Sequence, residues 1–274
     1  MDALLAVPQS LPGGWPAYLS AILLVMIRIS CLMVTAPIFS SEVIAPRLKV
    51  IFVLLVSLLV APIAAAMPLP SAAHSVPVIG VSLRAVAGEM AAGSLFGLEL
   101  TLFGEILLFA GQVLGFQFSF SLVNLLDPYA PYQTPLLGQL FSLFGTLILF
   151  ASGLYRELLM ALVRSFRVAP PGAVWVSGEN GLTVVARLGG VLLAALELAA
   201  PVIAATLLVE VGIAVLGRVA PQLPVMMLSI PIKTLVGYGA MLAGLALWPR
   251  FLELHFESLL DAGESLLQQM AVPR

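Results

Sequence analysis

The chain has 274 residues, of which 61% are hydrophobic and only 9% are charged, and its formal net charge is −2. Soluble domains are about 45–50% apolar and about 25% charged, so this composition excludes a soluble domain and predicts an integral membrane protein. The slightly acidic balance gives no electrostatic reason to expect a nucleic-acid partner. One cysteine and two histidines in separate segments predict neither a disulfide nor a metal site, and no cofactor is expected.

Six apolar blocks follow one another along the chain and predict an all-α fold built from helical hairpins. They cover residues 18–37, 48–67, 81–126, about 135–163, 182–216 and 225–248. Asp127 and Pro128 are expected to stop the third helix, because proline disfavours helical backbone in the residue before it. Pro201 and Pro231 lie inside the last two blocks and predict kinks. A polar connector, 164–181, separates the fourth block from the fifth.

The third block, 81–126, is too long to be an ordinary membrane span. As one helix its roughly 45 residues would extend some ~67 Å, whereas the hydrocarbon core is about 30 Å thick. It must therefore break, re-enter the membrane, or lie within a larger protein assembly. The segment 111–117 holds two glycines and two glutamines near the end of this helix, and we expect it to unwind into a loop.

Glycines in the same block recur on one side of a helix and predict close helix packing. They are Gly93, Gly97, Gly104, Gly111 and Gly115. At about 100° per residue these positions stay within about 40° of one another.

The apolar blocks also contain ten ionisable residues, which are too costly for helices that face lipid. They are Arg28, Glu89, Glu99, Glu105, Arg156, Glu157, Glu197, Glu210, Arg218 and Lys233. Each would cost at least about 2.5–3.5 kcal/mol at a bilayer centre. Two explanations stay open. A transporter would place these residues along a water-filled substrate pathway, whereas a subunit of an assembly would satisfy them against neighbouring chains or in an aqueous vestibule.

Lysine and arginine near the block ends predict the orientation of the chain. They occur as Arg47 and Lys49, as Arg164 and Arg167, and as Arg250 and Arg274, whereas the loops 67–81 and 127–134 contain none. If 81–126 crosses an even number of times, or re-enters, all of these residues lie on one side, and the positive-inside rule makes that side cytoplasmic. The N-terminus is then outside and the C-terminus is cytoplasmic.

The tail after residue 250 is amphipathic, with an apolar face and an acidic face at helical spacing. The apolar positions are Leu252, Phe256, Leu259, Leu266 and Met270. This pattern fits a solvated cytoplasmic helix or a helix that docks on a partner.

No catalytic constellation is present in the sequence. HExxH, GxSxG, a P-loop and a Cys/His cluster are all missing, so the chain is not expected to be an enzyme. A secondary transporter would predict activity for the purified chain alone and an internal inverted repeat, and no clear repeat relates the two halves. An intramembrane enzyme is a weaker alternative, since nothing nominates its nucleophile.

Several short motifs carry a resemblance to a known family. They are MVTAPIFSS at 33–41, PRLK at 46–49, GEI at 104–106, AGQ at 110–112, GFQ at 115–117, FSL at 120–122, DP at 127–128, and SF at 165–166 followed by PPG at 170–172. Together with the order of the blocks, they resemble the flagellar biosynthetic protein FliR family over nearly the whole chain. The stretch SGLYR at 152–156 departs from that family, whose flagellar members often carry glycine followed by histidines, and this weakens the flagellar assignment relative to the homologous subunit of a virulence-type injectisome.

The resemblance implies a non-enzymatic subunit of a hetero-oligomeric export gate, which passes unfolded flagellar proteins across the bacterial inner membrane at the flagellar basal body. Its partners would be the P and Q subunits of the gate, with the A and B membrane proteins of the export apparatus nearby. Residues 1–181 would form a P-subunit-like part, 182–249 a Q-subunit-like hairpin, and 250–274 a cytoplasmic tail. Matching positions for a channel plug are Gly111, Gln112, Gly115, Phe116 and Gln117. Candidate polar contacts between subunits are Glu99, Glu105, Arg28, Glu197 and Glu210.

Overall fold

A computed structural model describes residues 14–40, 44–65, 81–118, 136–176, 178–222 and 224–271. Within these ranges the regular elements are helices, and one isolated antiparallel bridge joins Val174 to Ala271. The helices are α1 (Gly14–Thr35), α2 (Pro37–Ser40), α3 (Pro46–Ala65), α4 (Leu83–Gln117), α5 (Leu136–Ala151), α6 (Leu154–Val168), α7 (Gly178–Val219), α8 (Val225–Gly244) and α9 (Trp248–Met270). The predicted all-α fold is therefore confirmed.

Five of the described helices are long and apolar enough to cross a membrane, namely α1, α3, α4, α7 and α8. The count rises to six if α5 and α6 are two halves of one broken span. The sequence predicted one continuous block over 135–163, and this is wrong at Ser152 and Gly153, where α5 ends. Gly153 has φ +75°, a conformation that residues with a Cβ rarely adopt, so the helix cannot continue regularly through it.

Two helices are much longer than an ordinary span, and the sequence argument about length predicted this for the block that contains α4. Helix α4 has 35 residues and α7 has 42, which correspond to about 52 Å and about 63 Å. The expected unwinding within 111–117 is wrong, because α4 stays helical as far as Gln117. Asp127 and Pro128, the expected stop signal, lie outside the described residues.

The chain divides into two compact units, which are considered separately. The first contains Met1–Thr101, Tyr155–Ala186 and Glu257–Arg274, and the second contains Leu102–Leu154 and Arg187–Phe256.

In the first unit, α1 packs against α3 and approaches α4 closely at two glycines. A Cβ on Gly93 would collide with the carbonyl group of Arg28, and a Cβ on Gly97 would collide with Thr35. Residues 169–174 form a mostly buried turn rather than an exposed connector. The apolar face of α9 is also covered by this chain, since Leu266 and Leu267 are fully buried.

In the second unit, glycines again permit close helix contacts. A Cβ on Gly111 would lie 2.5 Å from the Cα atom of Gly138, and Gly145 faces the side chain of Leu107. The ring of Trp248 packs on Phe141 with centroids 4.8 Å apart. Close packing therefore holds α4 against α5 in this unit.

Candidate functional site

The end of α4 carries the predicted plug residues, and the structure shows how the second unit holds it. The side-chain amide of Gln117 donates a hydrogen bond of 2.6 Å to the hydroxyl of Thr206, which is buried on α7. The next ring, Phe118, stacks on Tyr238 of α8 with centroids 5.1 Å apart and lies against Gly237. Both helices of the α7–α8 hairpin therefore contact the end of α4 and hold it in place.

The five plug residues do not share one environment. Gly111 is packed against Gly138 of α5, whereas a Cβ on Gly115 would meet nothing within 4 Å. Phe116 is 71% exposed, while Gln117 points toward Thr206 and Gln112 is half-buried. Within this set, Gly115 and Phe116 are therefore the residues that other described parts of the chain do not cover.

A second polar site lies in the interior of the first unit, where Arg28 of α1 meets Glu89 of α4. Both side chains are fully buried. The Arg28 Nε atom donates to Glu89 Oε2 at 2.6 Å, and Nη2 donates to Oε1 at 3.1 Å. Such a two-pronged pair is the strongest arrangement that arginine makes with a carboxylate.

Helix α6 and the turn after it add further hydrogen bonds to this pair. Arg28 donates through Nη1 to the hydroxyl of Ser165 at 3.1 Å and through Nη2 to the carbonyl of Ala169 at 3.0 Å. The N–H of Gly172 donates to Glu89 Oε1 at 2.8 Å. The guanidinium carbon also lies 4.2 Å from the centre of the Phe166 ring. Four segments of the chain therefore meet at one buried ion pair.

Arg28 and Glu99 were both candidates for contacts between subunits, and both lie in the interior of the first unit. Arg28 finds its partners within its own chain. Glu99 is only 1% exposed and lies beside Gly263 of α9, whose Cβ would sit 3.3 Å from the Glu99 Cγ atom. Both side chains are therefore buried within the first unit.

The other three candidates are more accessible. Glu105 is half-buried, and the Glu197 side chain is 50% exposed with one carboxylate oxygen 3.6 Å from the Nε2 atom of His255. Glu210 on α7 forms an ion pair with Lys233 on α8 inside the apolar hairpin. These carboxylates reach the surface of the chain and remain available to other molecules.

Sequence reasoning missed Ser165, Phe166 and Gly172 as partners of the Arg28–Glu89 pair. A signal was present, because SF and PPG at these positions were among the motifs of the family resemblance. What was lacking was the fold, since Arg28 and Ser165 are 137 residues apart.

Long apolar helices and close glycine contacts define an all-α integral membrane protein, and an ion pair is buried in its apolar interior. The sequence profile of the family described as "Bacterial export proteins, family 1" matches residues 19–259. The chain therefore belongs to this family of bacterial export proteins.

Individual relatives agree with this family. The chain is 27% identical to "Flagellar biosynthetic protein FliR" of Pectobacterium carotovorum subsp. carotovorum, over 89% of this chain and 92% of the relative. It is 24% identical to the protein of the same name from Escherichia coli (strain K12), over 93% of this chain and 96% of the relative. It is 32% identical to "Yop proteins translocation protein T" of Yersinia pestis, over 54% of this chain and 58% of the relative. The chain is a subunit of a type III export apparatus in the inner membrane, and the flagellar assignment fits best.

Proposed function

We propose that the chain helps to form the pore of the flagellar export gate and passes unfolded flagellar proteins across the inner membrane at the basal body. The observation that carries this proposal is the match to flagellar relatives over about nine-tenths of both chains. The pore would be completed by the P and Q subunits, with the A and B membrane proteins nearby. The chain acts as a structural part of the channel rather than as an enzyme, and other parts of the apparatus supply the energy.

Residues 1–181 are assigned to the P-subunit-like part, 182–249 to the Q-subunit-like hairpin and 250–274 to the tail. The N-terminus lies outside and the C-terminus lies in the cytoplasm, because the basic loops then fall on the cytoplasmic side. Of the candidate contacts between subunits, Glu105, Glu197 and Glu210 are retained because they are accessible. They would meet polar groups of neighbouring subunits.

The flagellar role is tested by deleting the gene in its host and scoring swimming and flagellin in the culture medium, with rescue from a plasmid. Loss of both, restored by the plasmid, supports the proposal. Normal swimming and normal flagellin secretion, in a host without a second copy of the gene, would remove the flagellar assignment.

A second candidate is the homologous subunit of an injectisome, favoured by the 32% identity to a Yop translocation protein over 150 residues. The two roles differ in the exported cargo. If deletion abolishes secretion of non-flagellar proteins while swimming persists, the injectisome role replaces the flagellar one.

We also assign a plug function to Gly111, Gln112, Gly115, Phe116 and Gln117 at the end of α4. The support is that the α7–α8 hairpin fixes this end through Gln117, while the large ring of Phe116 is left exposed. A bulky apolar group held on a fixed helix end is suited to block a narrow channel and exclude water from it.

Replacing this ring tests the plug with less disturbance than deletion of 111–117, which would also remove the contact of Gly111 with Gly138. We expect Phe116→Ala to raise the passive leakage of small solutes through the assembled gate, measured as uptake of a normally excluded dye or antibiotic. The matched control is Phe109→Ala, since Phe109 lies two turns earlier on α4 and is 41% exposed. Equal leakage of both variants and the parent, with the complex assembled, would refute the plug assignment.

A further inference from the structure

The turn between α6 and α7 occupies a central position in the first unit, although its sequence is that of a short connector. Ala169, Pro170, Pro171, Ala173 and Val174 are all buried. Connecting segments usually run over the surface, because their backbone groups need water as a partner. Here the backbone groups of the turn find partners on two different parts of the chain.

One end of the turn binds the buried ion pair. The carbonyl of Ala169 accepts from Arg28, and the N–H of Gly172 donates to Glu89. Gly172 has φ +80°, so the backbone conformation that aims this N–H at the carboxylate favours glycine.

The other end of the turn binds the end of the C-terminal helix α9. The N–H of Trp175 donates to the carbonyl of Met270 at 2.7 Å, and Val174 forms an antiparallel bridge with Ala271. The guanidinium of Arg84 lies 3.5 Å from the centre of the Trp175 ring. The start of α4 therefore contacts the same end of the turn.

Two further contacts hold α9 in this position. Arg164 on α6 forms an ion pair of 2.9 Å with Glu264, and Gly263 leaves room for the buried side chain of Glu99. The last turns of α9 thus contact α4, α6 and the turn within one compact unit.

We propose that residues 169–175 form a clasp that couples the end of α9 to the buried Arg28–Glu89 pair. The clasp is short and stiff, because Pro170 and Pro171 each fix a backbone torsion and only two residues separate Gly172 from Trp175. A change in the ion pair therefore shifts the edge that binds α9, and a change at the end of α9 shifts the groups that bind Glu89. Thermodynamic linkage requires this coupling to act in both directions.

The coupling can be measured with a disulfide at one end of the clasp and a mutation at the other. In a Cys31→Ala background, Val174→Cys and Ala271→Cys place two thiols at the antiparallel bridge. Bridged residues have Cα atoms about 4.5–5.5 Å apart, which suits a disulfide. We expect efficient disulfide formation in the assembled, membrane-embedded protein, scored by the mobility shift on a non-reducing gel.

Glu89→Gln then removes the charge of the distant ion pair while keeping the size of the side chain. We expect it to lower the disulfide yield several-fold at a fixed time of oxidation. The matched control is Glu257→Gln, the same chemical change at an exposed residue of α9, which should leave the yield unchanged. A thiol pair at Glu210→Cys and Lys233→Cys, joined by a short bismaleimide, should also be unaffected by Glu89→Gln, since it reports the α7–α8 hairpin in the second unit.

Two milder variants keep the test decisive if the Glu89→Gln chain does not accumulate. Ser165→Ala removes one hydrogen bond to Arg28, and Gly172→Ala strains the backbone that positions the N–H toward Glu89. Each should lower the disulfide yield. An unchanged yield in these variants, or in an accumulating Glu89→Gln chain, would show that the two ends are independent and would overturn the proposal. The outcome is also independent of which cargo the apparatus exports.

Discussion

Arg28 and Glu89 are each fully buried, and neither charge would be tolerable alone in this position. Removing one partner of a buried pair typically costs about 3–5 kcal/mol, because the other charge is left without compensation. Here the cost is offset by the hydrogen bonds within the pair and by those that Ser165, Ala169 and Gly172 add to it. The charges of Arg28 and Glu89, which would be costly in lipid, are therefore compensated by partners within the same chain.

The pair leads to a prediction at the scale of single residues. Arg28→Met leaves Glu89 buried and unpaired, and it should destabilise the first unit by about 3–5 kcal/mol. The double variant Arg28→Met with Glu89→Met removes both charges and should recover part of this loss. Recovery is incomplete because the N–H of Gly172 and the carbonyl of Ala169 lose their partners, at about 1–3 kcal/mol for each unsatisfied group.

The measurement is the thermal stability of the purified protein in detergent. Its readout is the fraction of protein that remains monodisperse after heating. Glu257→Gln serves as the exposed control and should shift stability by no more than about 0.5 kcal/mol. A single variant as stable as the parent would contradict the assigned role of the pair.

At the scale of elements, the glycine stripe of α4 divides into packed and open positions. Gly93 and Gly97 face α1, and Gly111 faces Gly138 of α5. A Cβ added at Gly104 or at Gly115 would meet no atom of the described residues within 4 Å. Sequence spacing predicted that all five share one side of the helix, but it could not distinguish which of them a neighbouring helix covers.

This difference predicts opposite effects of the same substitution. In Gly93→Ala the new Cβ would lie 2.9 Å from the carbonyl carbon of Arg28 and from the Cβ of Cys31. Because a backbone group blocks it, α1 and α4 must separate, and we expect a loss of about 1–3 kcal/mol. Gly104→Ala should be neutral or stabilising by up to about 1 kcal/mol, since alanine is the better helix former.

Both variants are compared by cellular yield of the chain and by the same heating assay. Equal behaviour would show that the contact between α1 and α4 is looser than the structure describes. If Gly104→Ala leaves the single chain intact but prevents its assembly, the open position is a contact site for another subunit.

At the scale of the whole molecule, much of the apolar surface is left uncovered by the chain itself. Only 11% of the most apolar stretch of α8 is buried within the chain, and the corresponding share for α3 is 28%. Lipid or neighbouring subunits must cover these faces, because surfaces of this kind are not stable in water. The buried charges, by contrast, lie mainly where α1, α4 and α6 cover one another.

The proposed orientation makes a prediction at this scale. In a Cys31→Ala background, Ser10→Cys should react with a membrane-impermeant maleimide in intact spheroplasts, because the proposed orientation places the N-terminus outside. Pro273→Cys should react only after the membrane is permeabilised. The reverse pattern would place the basic loops outside and would refute the orientation.

The sequence by itself determined the class of protein, the positions of most helices and the unusual length of the block that contains α4. These properties follow from composition and from runs of apolar residues, which are local and need no knowledge of neighbours. It also marked Arg28 and Glu89 as residues that must be satisfied, because a lipid environment cannot solvate them.

Only the tertiary structure decided which groups satisfy them, why the fourth block breaks at Gly153, and that 111–117 stays helical. The first and the last of these depend on residues far apart in the chain: Arg28 is matched by Glu89 and Ser165, and Gly111 packs against Gly138. The glycines and glutamines at 111–117 weaken a helix in isolation, but contacts with α5 and with the α7–α8 hairpin outweigh that local preference. The surroundings of the ion pair and of the end of α4 therefore depend on residues that folding brings together. A local sequence pattern does not show which distant residues will meet.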